Sequence, residues 1–325
     1  MMIREIHVDG FKSIKSLDIP LGRLNCFIGA NGAGKSNVLE AIGVLGAAAN
    51  GVVDDEALLR RGVRPGLPRL YKSSFADGRT PSHIFLGAEG QDGEVYQVSL
   101  LNPLEKPKPA WEFKTEVLAA GTDFIVSNGV RTPRLNKSKG MAALRLAEIE
   151  DGHPIVGFMQ DLQDYALYTP NTMMLRSLVQ DPQSRDPVGL SGGLLADGFA
   201  SLSRAVLASD PDLCADFLSL IDWVGDVECV QTAASLMSPS VPRSRSLLKF
   251  TDRYMRVGRN TLSAYDASEG ALYVLFSAVL CLSPVAPRLF AIDNLDQALN
   301  PRLASRLLRR INHWLQRPSR QAQML

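Results

Sequence analysis

Apolar and polar residues alternate from Ile3 to Val8, the period of a half-buried strand, and Leu17–Leu21 offers it a partner. Leu24–Ile28 is a short apolar run of strand length. Asn37–Ile42 then carries apolar residues at helical spacing. Residues 50–82 are polar and rich in proline and glycine. His83–Glu89 and Val95–Leu101 read as antiparallel strands around an Asp92-Gly93 turn, and Trp111–Leu118 as a further strand. From about 138 to 236 the pattern is mainly helical, with Ala142, Leu146 and Ile149 on one face and Phe217, Leu220 and Ile221 on another. Ser238–Ser246 reads as a linker and Leu247–Tyr254 as a strand, and 266–315 alternates helix, strand, helix. No repeat and no sustained heptad is present, which excludes a long coiled coil. The pattern predicts an α/β core interrupted by a helical insertion: 1–121 and 245–325 form one lobe, and 122–244 a mainly helical one.

Composition narrows this picture. At 325 residues and 46% hydrophobic, the chain can bury a large core. A net charge of +1 leaves nucleic-acid binding to local patches. Four scattered cysteines and four histidines argue against structural zinc or a disulfide framework, and for a reducing cytoplasm. Met1–Glu5 leads directly into the strand pattern, so no signal segment is expected. Ala271–Ala286 is almost wholly apolar but shorter than the roughly 20 residues of a membrane span. It reads as a buried helix followed by a buried strand, so no membrane association is expected.

The candidate chemistry begins at Gly29-Ala30-Asn31-Gly32-Ala33-Gly34-Lys35-Ser36, a full match to the phosphate-binding P-loop between an apolar run and a helix. The glycines let backbone N–H groups surround a polyphosphate at a helix N-terminus. Lys35 supplies a point charge for the terminal phosphates, and the Ser36 hydroxyl is a ligand for Mg²⁺. Such a loop needs a downstream acidic strand end, and Leu289–Ile292 followed by Asp293 is the best candidate in the chain.

These features resemble the ATP-binding-cassette heads of the SMC, RecF and OLD group. The residues that carry the resemblance are Gly10-Phe11-Lys12-Ser13, the P-loop with Asn37 after it, Ala267-Ser268-Glu269-Gly270, and Ile292-Asp293-Asn294. It covers both ends of the chain and hardly touches 120–245. Within the group it is most similar to small prokaryotic ATPases without coiled coils, many from anti-phage defence operons. The resemblance implies a P-loop NTPase fold with an antiparallel β subdomain and a helical lobe, binding ATP and Mg²⁺.

Two strings compete as the signature motif. Leu190-Ser191-Gly192-Gly193 is the literal match, but the family's signature opens a helix about 25 residues before the acidic strand end. Asp293 follows Ser268 by 25 residues (293 − 268) and Ser191 by 102 (293 − 191), so Ser268–Gly270 is the expected signature. By resemblance it caps ATP held by another subunit, which implies an ATP-sandwiched homodimer. Arg60 and Arg61, 25 and 26 residues after Lys35 (60 − 35, 61 − 35), match a nucleotide-directed arginine of the family; a solvated pair is the other reading. Asn294 stands where the family has its catalytic glutamate. A carboxamide cannot take a proton from water, so hydrolysis is expected to be slow unless Asp296 substitutes. The family's switch histidine is not found, which points to a truncated chain or to completion by a partner.

Three basic clusters, Arg61/Arg64/Arg69/Lys72, Arg131/Arg134/Lys137/Lys139 and Arg243–Arg259, read either as solvated surface or as DNA contacts. No nuclease segment is evident, so an effector would be a separate chain. A RecF-like repair ATPase is the alternative function. A transporter cassette is a weaker one, opposed by Phe11-Lys12-Ser13 and by the missing Gln-Arg pair after the signature.

Overall fold

A computed structural model describes residues 2–76, 78–127, 136–150, 152–231, 240 and 245–325. Two compact units emerge: residues 1–167 with 287–291 and 323–325, and residues 168–286 with 292–322. These boundaries differ from the expected 121/122 and 244/245, because from residue 168 onward the chain packs around its own central helix.

In the first unit, strands β1 (Ile3–Phe11), β2 (Ile14–Pro20), β3 (His83–Gly90), β4 (Glu94–Leu101), β5 (Glu112–Ala120) and β6 (Asp123–Val126) form one sheet. Its order is β2-β1-β3-β4-β5-β6, with every neighbouring pair antiparallel. The strands expected at 3–8, 17–21, 83–89, 95–101 and 111–118 are present, and Gly93 takes the left-handed conformation that the turn between β3 and β4 requires. Helix α1 (Lys35–Ala49) is buried along almost its whole length and packs on β1 and on α5 (Pro154–Gln163). Two helical turns, α2 (Asp55–Leu59) and α3 (Pro68–Tyr71), lie in the proline- and glycine-rich passage, and α4 (Met141–Leu146) precedes α5.

The run Leu24–Ile28 is not a regular strand. Asn25 N–H donates to Met324 O at 3.0 Å and Met324 N–H to Arg23 O at 2.9 Å, after which the chain leaves the ladder. Ile28 is 94% exposed, so the apolar run is not a core segment throughout. Strand β12 (Gln323–Met324) pairs in parallel with β11 (Leu289–Ile292) in a small sheet of order β12-β11-β7, where β7 is Ala166–Tyr168.

The second unit is centred on α9 (Glu269–Leu282), buried from Ala271 to Leu282. Around it pack α6 (Thr172–Leu175), α7 (Leu195–Ala205), α8 (Pro211–Leu218) and α10 (Pro301–Leu315). The segment 138–236 is less helical than its pattern suggests. It holds β7 and β8 (Val224–Gln231), and β8 joins β9 (Ser246–Asp252) and β10 (Thr261–Ser263) in an antiparallel sheet. A register shift between Val224 and Asp226 interrupts the alternation that marks a strand. β9 ends at Asp252 rather than Tyr254, since the Asp252 carboxylate accepts from Tyr254 N–H at 2.7 Å and turns the chain. Most of the expected linker at 238–246 falls outside the described residues. Among the described residues, no helix is long and apolar enough to cross a membrane.

Candidate functional site

The P-loop folds as an exposed turn leading into α1. Gly32 and Gly34 have φ of 83° and 96°, conformations that L side chains rarely adopt. Gly34 is the helix N-cap, so α1 starts without a side-chain cap and with no acidic residue in its first turn. Its N-terminal dipole and N–H groups therefore favour an external anion. Lys35 Nζ folds over the loop and donates to Gly29 O at 2.8 Å and Ala30 O at 3.0 Å. Those neutral carbonyls are acceptors that a phosphate oxygen would outcompete.

Lys12 and Ser13 form the tight turn between β1 and β2, with Lys12 at φ 48°. Asn37 Nδ2 donates to Ser13 Oγ at 2.7 Å, which ties this turn to α1. A Cβ on Gly34 would lie 2.7 Å from Ser13 Oγ, so the turn presses directly on the loop. Lys12 points into the protein instead. Its ammonium contacts the Glu40 carboxylate and sits 4.9 Å from the Tyr71 ring centroid and 5.4 Å from that of Phe11. Arg64 Nε donates to the other Glu40 oxygen at 2.6 Å. Burial alone would raise the Glu40 pKa, but the bonds from Arg64 and Lys12 outweigh it and hold the carboxyl below its ordinary value.

Arg60 is exposed at the end of α2. Arg61 is buried, and its guanidinium donates to Ala57 O at 2.9 Å and Gln163 O at 2.7 Å. It braces α2 against the end of α5.

In the second unit, Asp293 follows β11 and its N–H donates to Tyr168 O at 2.8 Å. Asn294 is exposed at φ 57°, a left-handed position that asparagine tolerates better than most residues. Asp296 is exposed in the same turn, which ends where Asn300 caps α10 through Leu303 N–H at 2.9 Å. Ser268 is the N-cap of α9, its hydroxyl 3.4 Å from Ala271 N–H, and both Ser268 and Glu269 are exposed. A cleft of about 420 Å³ beside this cap is lined by Trp223, Ser268, Gly270, Asn300, Arg302 and Arg306.

The rival string 190–193 is already occupied from within. The Asp181 carboxylate accepts from Ser191 N–H at 2.7 Å and Gly193 N–H at 3.2 Å.

Residues 24–324 match the family described as "AAA domain, putative AbiEii toxin, Type IV TA system". The chain belongs to this family. That agrees with the SMC/RecF-like cassette resemblance read from the motifs. Two curated relatives, each a DNA replication and repair protein RecF from a strain of Porphyromonas gingivalis, are 36% identical over 81 residues. The match covers 24% of this chain and 22% of each relative, about a fifth of the relatives' length. Two solved structures of the recombination mediator protein RecF in the RecFOR pathway are similar at 11% identity. The ATP form has a TM-score of 0.36, covering 95% of this chain and 90% of that one. The form described as RecF-ATPrS has a TM-score of 0.39, covering 99% and 91%.

The family's motifs do not reveal Glu40, Arg64 and Tyr71, which fix the Lys12–Ser13 turn from behind. A signal was present: Glu40 is a lone carboxylate on an otherwise apolar helix, which requires a buried cationic partner.

Proposed function

We propose that this chain is an ATP-binding, slowly hydrolysing head that dimerises on ATP and acts in DNA surveillance or anti-phage defence with a separate effector protein. The observation that carries the reading is the uncapped, exposed N-terminus of α1, with two left-handed glycines before it and Lys35 folded across them. The backbone of Gly29–Ser36 would take the phosphates, with Lys35 neutralising them and Ser13 and Asn37 holding the loop's shape. Ser36 and Asp293 would hold Mg²⁺, which supplies charge neutralisation at the phosphates. Asn294 or Asp296 would orient the attacking water. Ser268–Gly270 would cap the nucleotide of a second copy, and the cleft beside it, with Arg302 and Arg306, suits an anionic ligand. Arg60, exposed at the end of α2, would be the arginine directed at the nucleotide. DNA would meet the exposed members of the local basic clusters; Arg61 and Lys72 of the first cluster are buried and drop out, and 128–135 and 241–244 fall outside the described residues.

A RecF-like repair role is the second reading, favoured by the 36% identity with the RecF relatives over 81 residues. Both readings share the ATP-driven dimer, and light scattering with Mg-ATP tests it. Wild type is expected to dimerise. Ser268→Arg is expected to remain monomeric while binding nucleotide as tightly as wild type. A Ser268→Arg protein that still dimerises would overturn the assignment of the signature.

A further inference from the structure

On the outer face of the first unit's sheet, Glu5 and Glu89 stand directly opposite each other on β1 and β3. Like charges in that relation destabilise a sheet unless something lies between them. His7, two residues along the same face, is paired across β2 with Asp18, and its Nδ1 lies 2.7 Å from the Asp18 carboxylate. A proton on Nδ1 leaves Nε2 as a bare lone pair. That nitrogen is buried, has no hydrogen-bond partner, and lies 3.4 Å from Glu89 Oε1. One ligand atom each from Glu5, His7 and Glu89 falls within 4.8 Å of the other two. Arg4, largely exposed, contacts the second oxygen of Glu89. Directly opposite His7 the partner strand carries Gly87, which adds no side chain at that position.

From this geometry we infer a binding site for a first-row divalent metal ion such as Zn²⁺, held by Glu5, His7 and Glu89, with Asp18 orienting the histidine. One nitrogen and two carboxylate oxygens are a donor set for such ions, and an imidazole backed by a carboxylate is the usual support of a metal-bound histidine. Ligands on a zinc ion lie about 3.3 Å apart, so small side-chain rotations close the site. Three protein ligands leave a coordination position open to water or an external anion. The ion would join β1 to β3 and remove the repulsion between Glu5 and Glu89. A competing state, a protonated His7 between Asp18 and Glu89, needs no metal, and the experiment separates the two.

The full chain, stripped of metal with a chelator and free of nucleotide, is titrated with Zn²⁺ by calorimetry and with Co²⁺ by visible absorption. Binding of one equivalent is expected, with a Co²⁺ ligand-field band, no thiolate-to-metal charge transfer and a rise in Tm on metal addition. His7→Ala and Glu89→Gln should each weaken binding by at least about tenfold. If His7→Ala fails to fold, Glu5→Gln provides the same readout. Absence of binding at millimolar metal overturns the proposal. So does binding that survives these substitutions, a charge-transfer band lost in Cys26→Ser, or loss of binding in Ser36→Ala.

Discussion

Two glycine-rich loops, 29–34 and 189–193, have similar text and opposite fates. Both use left-handed glycines, Gly32 and Gly34 in the first, Gly189 and Gly192 in the second. In the second, the Asp181 carboxylate sits among the loop's N–H groups and accepts two of them. In the first, the helix start has no side-chain cap and no acidic residue in its first turn, and Lys35 leans over the turn. An anion site is thus defined less by its glycines than by the absence of an internal anion and the presence of a nearby cation. By that measure 29–34 is open to a phosphate, and 190–193 is a closed structural turn.

Removing the cation is the most direct way to break the comparison. Lys35→Ala is expected to weaken binding of a fluorescent ATP analogue by about 100-fold, the scale of a lost charge-assisted contact. The fold should persist, because Lys35 reaches only loop carbonyls. An unchanged affinity would show that the loop does not hold the phosphates.

The support behind the first loop ranks next. Glu40 is buried and bonded to Lys12 and Arg64, so Glu40→Gln is expected to cost about 2 kcal/mol in denaturant unfolding, less than a fully buried pair because Arg64 is largely exposed. Its carboxyl is held below the ordinary value of 4.5 in the folded state. The stabilisation is therefore complete above that pH and is lost as pH falls through the lowered folded value. The gap between wild type and Glu40→Gln should close on acidification. A gap that widens would mean that Glu40 is not the ionised partner.

The second loop offers the converse test. Asp181→Ala leaves the N–H groups of Ser191 and Gly193 without their acceptor and should cost about 1.5 kcal/mol, with no change in nucleotide affinity. Lost nucleotide binding would return the 190–193 string to the site.

How much of this was legible follows from the range of each interaction. The P-loop, the strands β1–β5 and the buried helix at 269–282 were readable because local spacing specifies them. The run at 24–28 was not: whether it pairs throughout depends on Met324, about 300 residues away, and on Asn25, whose side chain is used to close a turn at Gly22. β8 was hidden by its register shift. Among the site residues, Lys12 and Arg61 matched the family by position, yet their side chains are directed inward, at Glu40 and at backbone carbonyls. Sequence shows that a cation is present; only packing shows where it points.

The smallest expected effect tests the acidic turn. Asn294 occupies a left-handed position, which asparagine accepts and glutamate resists by about 1 kcal/mol. Asn294→Glu should therefore lower stability slightly. It should also raise steady-state phosphate release several-fold, about 1 kcal/mol in barrier, because it adds the general base that a carboxamide lacks. The stability change reports the backbone, and the rate change reports the chemistry. Suppose instead that wild type already turns over at about 1 per second. Or suppose that Asn294→Glu leaves the rate unchanged while Asp296→Asn abolishes it. In either case Asp296, exposed in the same turn, is the working carboxylate, and the slow-hydrolysis proposal fails.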